Sequence, residues 1–283
     1  MSVLHSGAYR PAEATRRGTP VTEPLRAAAL ADTVTFAALV TLVTLVTLVT
    51  FTAAPLGAQS AGNGFLFGAP TWSLTLHGGF SAPNAGSDVF RFATNELTLN
   101  RSDFQSLTLG GDLATRLSPR TDLVFGIAYA GSRTPSEFRQ WVDNNNLPIQ
   151  QTTSFTRVPV TASLKAYLVP PGRSIGQFAW IPARFAPYVG AGAGLEWYEF
   201  RQSGDFVDFK NGNSVFPDTF SSSGWTPTAH AFVGGDYSLS PRFAVTTEAR
   251  YGWARASLGS SFNGFDRIDL SGLSATVGLT IRY

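Results

Sequence analysis

The sequence predicts an all-β chain: an eight-stranded antiparallel up-and-down barrel that crosses a membrane, preceded by a helical signal segment. Three observations predict it. Apolar and polar residues alternate with period two in eight runs beyond Gly68. The connections between those runs alternate long and short. An uncharged apolar stretch from Thr33 to Ala54 stands ahead of all of them.

The apolar stretch contains the repeat LVTLVTLVTLVT and follows a segment bearing Arg10, Arg16, Arg17 and Arg26, the order of a signal peptide's charged and apolar regions. Ala53 to Gln59 has the small residues of a cleavage region, and the cut is expected after Ala58. Residues 1–58 are thus read as a targeting segment, 59–69 as a linker and 70–283 as the barrel. An uncleaved helical anchor is the alternative, because a bilayer span needs about 20 apolar residues. Met1 is the only methionine, so a start placed too far upstream is a second alternative.

Composition narrows the function classes. Charged residues are 14% of the 283 and aromatics 13%, a balance too ordered for a disordered chain and too poor in charge for a highly soluble domain. The leader holds four of the arginines, which leaves the remainder close to neutral and without the basic patch that nucleic-acid binding requires. With no cysteine, disulfides, thiolate metal sites and Cys nucleophiles are excluded.

The strands follow in order. The first, Thr71 to Phe80, sets Trp72, Leu74, Leu76 and Phe80 against Ser73, Thr75 and His77. In the second, Gln105 to Leu117, Leu107, Leu109, Leu113 and Leu117 alternate with polar and small residues, as a strand between a dry and a wet environment must. Asp122 to Gly131, Phe155 to Leu168 and the glycine-rich Tyr188 to Phe200 continue the pattern. Thr228 to Leu239, Phe243 to Trp253 and a last run ending at Tyr283 complete it. Long connections, about 82–103, 132–153, 202–224 and 259–268, read as solvated loops. Leu117-Ser118-Pro119-Arg120 and Leu239-Ser240-Pro241-Arg242 are one tetrapeptide used twice, with proline presetting a tight turn. The connection 170–187 is longer than that scheme expects. A hairpin over residues 88–100, with Phe90/Phe92 and Leu97/Leu99 as apolar pairs, would raise the count to ten strands.

A lipocalin-like barrel or a β-sandwich also alternates with period two. Run length favours the bilayer, since a tilted membrane strand needs about 9–11 residues whereas soluble strands average about 5–6. Trp72, Tyr129, Trp197, Tyr237, Phe243, Tyr251, Trp253 and Tyr283 fall near run ends on the apolar parity, where rings meet a membrane interface. An even antiparallel ring also leaves no strand edge open to lipid.

The last run, Val277-Gly278-Leu279-Thr280-Ile281-Arg282-Tyr283, alternates up to a terminal aromatic. On these residues and on the architecture of about 70–283 the chain resembles the small outer-membrane barrels of the OmpA/OmpX and OmpW type. The resemblance implies residence in the bacterial outer membrane, both termini on the periplasmic side, and passage by periplasmic chaperones and the barrel-assembly machinery. It also implies that Val277, Leu279, Ile281 and Tyr283 form the signal that machinery reads.

With apolar faces turned to lipid, the opposite parity gathers Asp112, Arg116, Lys165, Glu196, His230, Asp236, Glu248, Arg250 and Arg282 in the lumen. Charges of both signs in a narrow lumen read as a structural network; a conduit for small or apolar solutes, constricted at Glu248 and Arg250, is the rival. A lipid-modifying enzyme would need a Ser, a His and a carboxylate together. His77 and His230 both fall on lumen parity, away from lipid substrate, so no catalytic residue is assigned. Asp143 to Asn146 and Asp205 to Asp208 do not match a calcium loop, and no metal or cofactor is expected. The aromatics Phe206, Phe209, Phe216 and Phe220, with Phe138 and Trp141, read either as loops packed on the barrel rim or as a surface for an extracellular ligand. The expected state is a monomer with envelope-structural or surface-interaction function.

Overall fold

A computed structural model describes residues 64–143, 145–176, 178–208 and 214–283. The proposed leader, 1–58, lies outside the described residues. Eight strands close into one antiparallel ring: β1 (Trp72–Pro83), β2 (Ser106–Ser118), β3 (Thr121–Val142), β4 (Pro148–Tyr167), β7 (Phe185–Asp208), β8 (Ser214–Ser238), β9 (Phe243–Ala256) and β11 (Gly272–Arg282). Between β4 and β7, β5 (Gly172–Ile175) and β6 (Ala179–Pro182) form a separate hairpin, and the short β10 (Ile268–Asp269) pairs with β9. The ring closes where β1 meets β11, in register from Ser73↔Arg282 to Pro83↔Gly272. No described helix is long and apolar enough to span a membrane.

The expected alternation is realised as two unlike faces. Outside, Leu107 is 76% exposed, Val277 59% and Val233 57%, values that only an apolar surrounding tolerates over a whole belt. Inside, Thr161, Ser163, Thr228 and Thr246 are buried. On β7 the outward residues run from Phe185 to Trp197 and on β9 from Phe243 to Trp253. Such runs of roughly ten residues, tilted about 40°, span about 25 Å, the height of a lipid-facing band. Trp225, Trp253, Phe185, Tyr237 and Phe243, each exposed, stand at its borders.

The connections depart from the sequence reading in five places. Residues 132–153 and 202–224 are not solvated loops: β3–β4 and β7–β8 run on as hairpins beyond the belt, paired as far as Val142↔Pro148 and Asp208↔Ser214. Alternation against lipid stops there because both faces are wet or packed on protein, so the pairing had no hydrophobic signature. Residues 88–100 do not form a hairpin, and the count stays at eight. Asp88–Glu96 is a helix, α1, with Val89, Phe90 and Ala93 buried on one face, a helical spacing that read as period two when Phe90 and Phe92 were paired. Residues 259–268 hold a 3₁₀ turn at Ser260–Phe262 followed by the start of β10. The connection 170–187 contains β5 and β6, and Leu66 of the linker pairs with Trp180 beside them (Leu66 N to Trp180 O, 2.9 Å).

Candidate functional site

The barrel interior is where the chain concentrates its buried charge, and it is layered. Nearest the short turns, Asp236 on β8 accepts hydrogen bonds from Tyr167 Oη and Thr246 Oγ1, both at 2.8 Å, and pairs with Lys165 Nζ at 3.2 Å. The ammonium of Lys165 also sits 3.7 Å from the ring centre of Tyr188, a desolvated cation–π contact. Thr246 and Thr75 each share a hydrogen bond with Thr280, at 2.6 and 2.7 Å. Arg116 pairs with Asp122 at 3.4 Å. Arg282 donates to Ser238 Oγ at 2.9 Å and lies over the ring of Trp180, which ties the β5–β6 hairpin to the end of the lumen.

The middle layer draws on β1, β2, β4, β7, β8 and β9. Glu248 pairs with Arg250 at 2.9 Å and accepts from Tyr188 Oη at 3.1 Å. His77 Nε2 lies 3.3 Å from Asp112, and His230 Nε2 shares a 2.7 Å hydrogen bond with Ser163 Oγ. Above them, Arg157 reaches across the lumen to the Leu270 carbonyl at 2.7 Å and Ser81 Oγ at 2.5 Å, with Glu196 at 4.0 Å. His77, Arg157, Glu196, His230, Glu248 and Arg250 border a cavity of about 90 Å³. That is room for a few water molecules, far below the several hundred Å³ of an organic ligand's pocket.

The top layer is apolar. Phe90 of α1, fully buried, packs edge-on against Phe104, Phe155 and Phe200 with ring centres 4.8–5.7 Å apart. Ala93, Leu97, Leu99, Phe262, Ile268 and Leu270 join the same cluster. A helix whose apolar stripe points into the ring is thus seated in its mouth. Burying each large side chain contributes about 1.5–3 kcal/mol, so the mouth is held shut by packing.

A closed ring of long, tilted, antiparallel strands, apolar outside and polar within, leaves one architecture. The fold is that of a small outer-membrane β-barrel. No family model and no curated protein matches the sequence. Among solved structures it is similar to Neisserial surface protein A (13% identity, 78% of this chain against 98% of that one, TM-score 0.39). It is similar also to OprG from Pseudomonas aeruginosa (13%, 76% against 98%, TM-score 0.39) and to outer membrane protein W of E. coli (17%, 76% against 99%, TM-score 0.34).

All nine lumen residues named from the sequence lie inside the ring, but not as one network. Lys165 with Asp236 and Arg250 with Glu248 are direct pairs, and Asp112 pairs with His77, which the sequence reading had placed on lumen parity without a partner; Arg116 and Glu196 have partners that it omitted, Asp122 and Arg157. Parity could have found both, since Arg157 shares a face with Thr161, Ser163 and Lys165, and Asp122 with Gly126 and Ala128. Tyr167 stands on the parity of Lys165 and Tyr188 on that of Glu196, but the sequence reading gave neither a role in the lumen.

Of the loop aromatics, Phe206 and Phe220 are buried in the mouth cluster and Phe138 and Phe216 pack against it; the side chain of Phe209 lies outside the described residues. Asp143 accepts from the backbone N–H groups of Asn145 and Leu147 at 2.8 and 2.7 Å, which makes it a turn residue. Among the described residues no group of His, Asp and Glu could hold a metal ion. The Ser163–His230 pair has nucleophile-and-base spacing, but His230 Nδ1 is buried without a hydrogen-bond partner, so no carboxylate orients the imidazole as a triad requires.

Proposed function

We propose that the protein is a monomeric scaffold of the bacterial outer membrane, closed through its lumen, with a structural or surface-interaction role. One observation carries the reading: buried side chains fill the ring in successive layers, from Asp236 and Lys165 near the short turns to Phe90 and Phe200 at the mouth. The nine named lumen residues, with His77, Asp122 and Arg157, act in this reading as an internal brace. A buried ion pair holds geometry and register, because its desolvation offsets much of its attraction. The hairpins β3–β4 and β7–β8 stand beyond the lipid belt on the extracellular side and offer the surface for a ligand.

Outer-membrane lipid is the standing partner. The chain reaches it after signal-peptide cleavage, carried by periplasmic chaperones and inserted by the assembly machinery. Val277, Leu279, Ile281 and Tyr283, on the lipid side of the closing strand, are the proposed assembly signal. The decisive experiment is single-channel recording after reconstitution into planar bilayers. A heat-modifiable barrel with no unit conductance is expected; discrete openings would overturn the closed lumen and favour a narrow channel. Lipid analysis of cells producing the protein is expected to show unchanged acyl chains, and new lipid species would favour an enzyme.

A further inference from the structure

We propose that the short-turn rim of the barrel is a docking surface for the headgroups of anionic phospholipids. The inference rests on the membrane-barrel reading and specifies which lipid the barrel selects and where. Charge is divided by position in this chain. The lumen carries both signs in pairs, and the hairpin end carries both signs, as where Glu199 meets Arg201 at 2.7 Å. At the short-turn rim, outside the lumen charges Arg116, Asp122, Lys165, Asp236 and Arg282, the charged side chains are Arg120, Arg173, Arg184 and Arg242. No Asp or Glu occurs in 117–121, 168–187 or 239–243.

Three of these arginines adjoin the lipid belt, and Arg173 stands on the β5–β6 hairpin beside an exposed isoleucine. Arg120 follows Leu117 by three residues, Arg184 precedes Phe185, Arg242 precedes Phe243, and Arg173 is two residues from Ile175. Those four apolar neighbours are 41–58% exposed. The tetrapeptide Leu-Ser-Pro-Arg, used at both tight turns, sets an arginine immediately before β3 and immediately before β9. Arg120, Arg173 and Arg184 are exposed and Arg242 half-buried. None pairs with a carboxylate among the described residues. Arg184 uses Nε to donate to Tyr237 Oη at 3.0 Å, a ring at the belt's border. A guanidinium on an apolar boundary lays its stem along lipid and extends its fork to the headgroup layer, where phosphate accepts it bidentately. Four such forks, none of them in an ion pair among the described residues, leave a field that anionic lipid complements.

The test is native mass spectrometry of the full chain refolded in detergent micelles and titrated with phosphatidylglycerol or phosphatidylcholine. Preferential phosphatidylglycerol adducts are expected. Combining Arg120→Gln, Arg173→Gln, Arg184→Gln and Arg242→Gln should weaken them about tenfold or more, while Arg91→Gln with Arg133→Gln and Arg267→Gln at the other end leaves them unchanged. Retained adducts in the four-arginine variant, or equal loss in the control, would overturn the proposal. Displacement of the lipid by equimolar inorganic phosphate would also overturn it, by assigning the rim to free anions. Boiled and unboiled gel mobility of the same samples separates the two levels of failure. A chain that folds without detergent undoes the membrane reading, whereas a heat-modifiable barrel indifferent to headgroup undoes only this one.

Discussion

Trp72 and Tyr283 stack across the seam of the ring, with ring centres 4.2 Å apart and planes 11° from parallel. Their backbones are joined as well, Tyr283 N donating to the Trp72 carbonyl at 2.9 Å and Trp72 N to the Tyr283 carbonyl at 3.3 Å. The stack therefore clamps the pairing on which closure depends. Stacked aromatic pairs are worth about 0.5–1.5 kcal/mol beyond their buried area. A double-mutant cycle of Trp72→Ala and Tyr283→Ala, read by urea unfolding in lipid vesicles, should return a coupling energy in that range. Additive losses would mean that each ring merely contacts lipid.

The pair Lys165–Asp236 makes a sharper demand. Both groups are inside the ring, and Asp236 is 2% exposed. Lys165→Met leaves a buried carboxylate short of its cation and should cost about 3–5 kcal/mol. Lys165→Met with Asp236→Leu removes both charges and should recover most of that loss. If the double variant is no more stable than the single one, Tyr167, Thr246 and Arg282 hold Asp236 without the lysine.

Glycine offers a contrast within one barrel. A Cβ placed on Gly194 of β7 would lie 2.1 Å from the Val160 carbonyl of the neighbouring strand, whereas one on Gly252 of β9 would meet nothing within 4 Å. Gly194→Ala must displace backbone and should lower stability by about 1–3 kcal/mol, the usual cost of overpacking. Gly252→Ala should be neutral or slightly stabilising because it restricts the unfolded chain. Unfolding midpoints of the two variants in matched vesicles test the difference, and equal midpoints would remove steric crowding as the reason for glycine at Gly194.

Much of this architecture was legible because a bilayer imposes one rule on every strand. Leu107 and Thr108 differ in face because one meets lipid and the other the lumen, and that rule can be read one residue at a time. Where the rule lapses, legibility lapses with it. Arg133 to Glu137 pairs with β4 as regularly as Leu123 does, yet it stands beyond the apolar belt, so nothing in its polarity marked it as strand. Helix α1 was missed for a different reason: its stripe faces other aromatics inside the mouth, and Phe90 and Phe92 imitate alternation over too short a span. The partners Arg157 and Asp122 were within reach of the same parity argument that found Lys165.

Seating α1 in the mouth implies that the plug and the wall differ in stability. The wall is held by a continuous hydrogen-bonded ring, the plug by side-chain packing around Phe90, which is fully buried against Phe104, Phe155 and Phe200. Phe90→Ala should cost the plug about 3–5 kcal/mol. Amide exchange across residues 84–104 should accelerate by about two orders of magnitude or more, as local opening becomes easier. Exchange in β1, β2 and β11 should stay slow and the boiled-against-unboiled gel shift should persist. Conductance should remain absent, because the Asp236, Lys165 and Tyr188 layer still fills the ring below. Uniform acceleration across all strands would mean instead that plug and wall unfold as one unit, and that α1 is part of what holds the barrel closed.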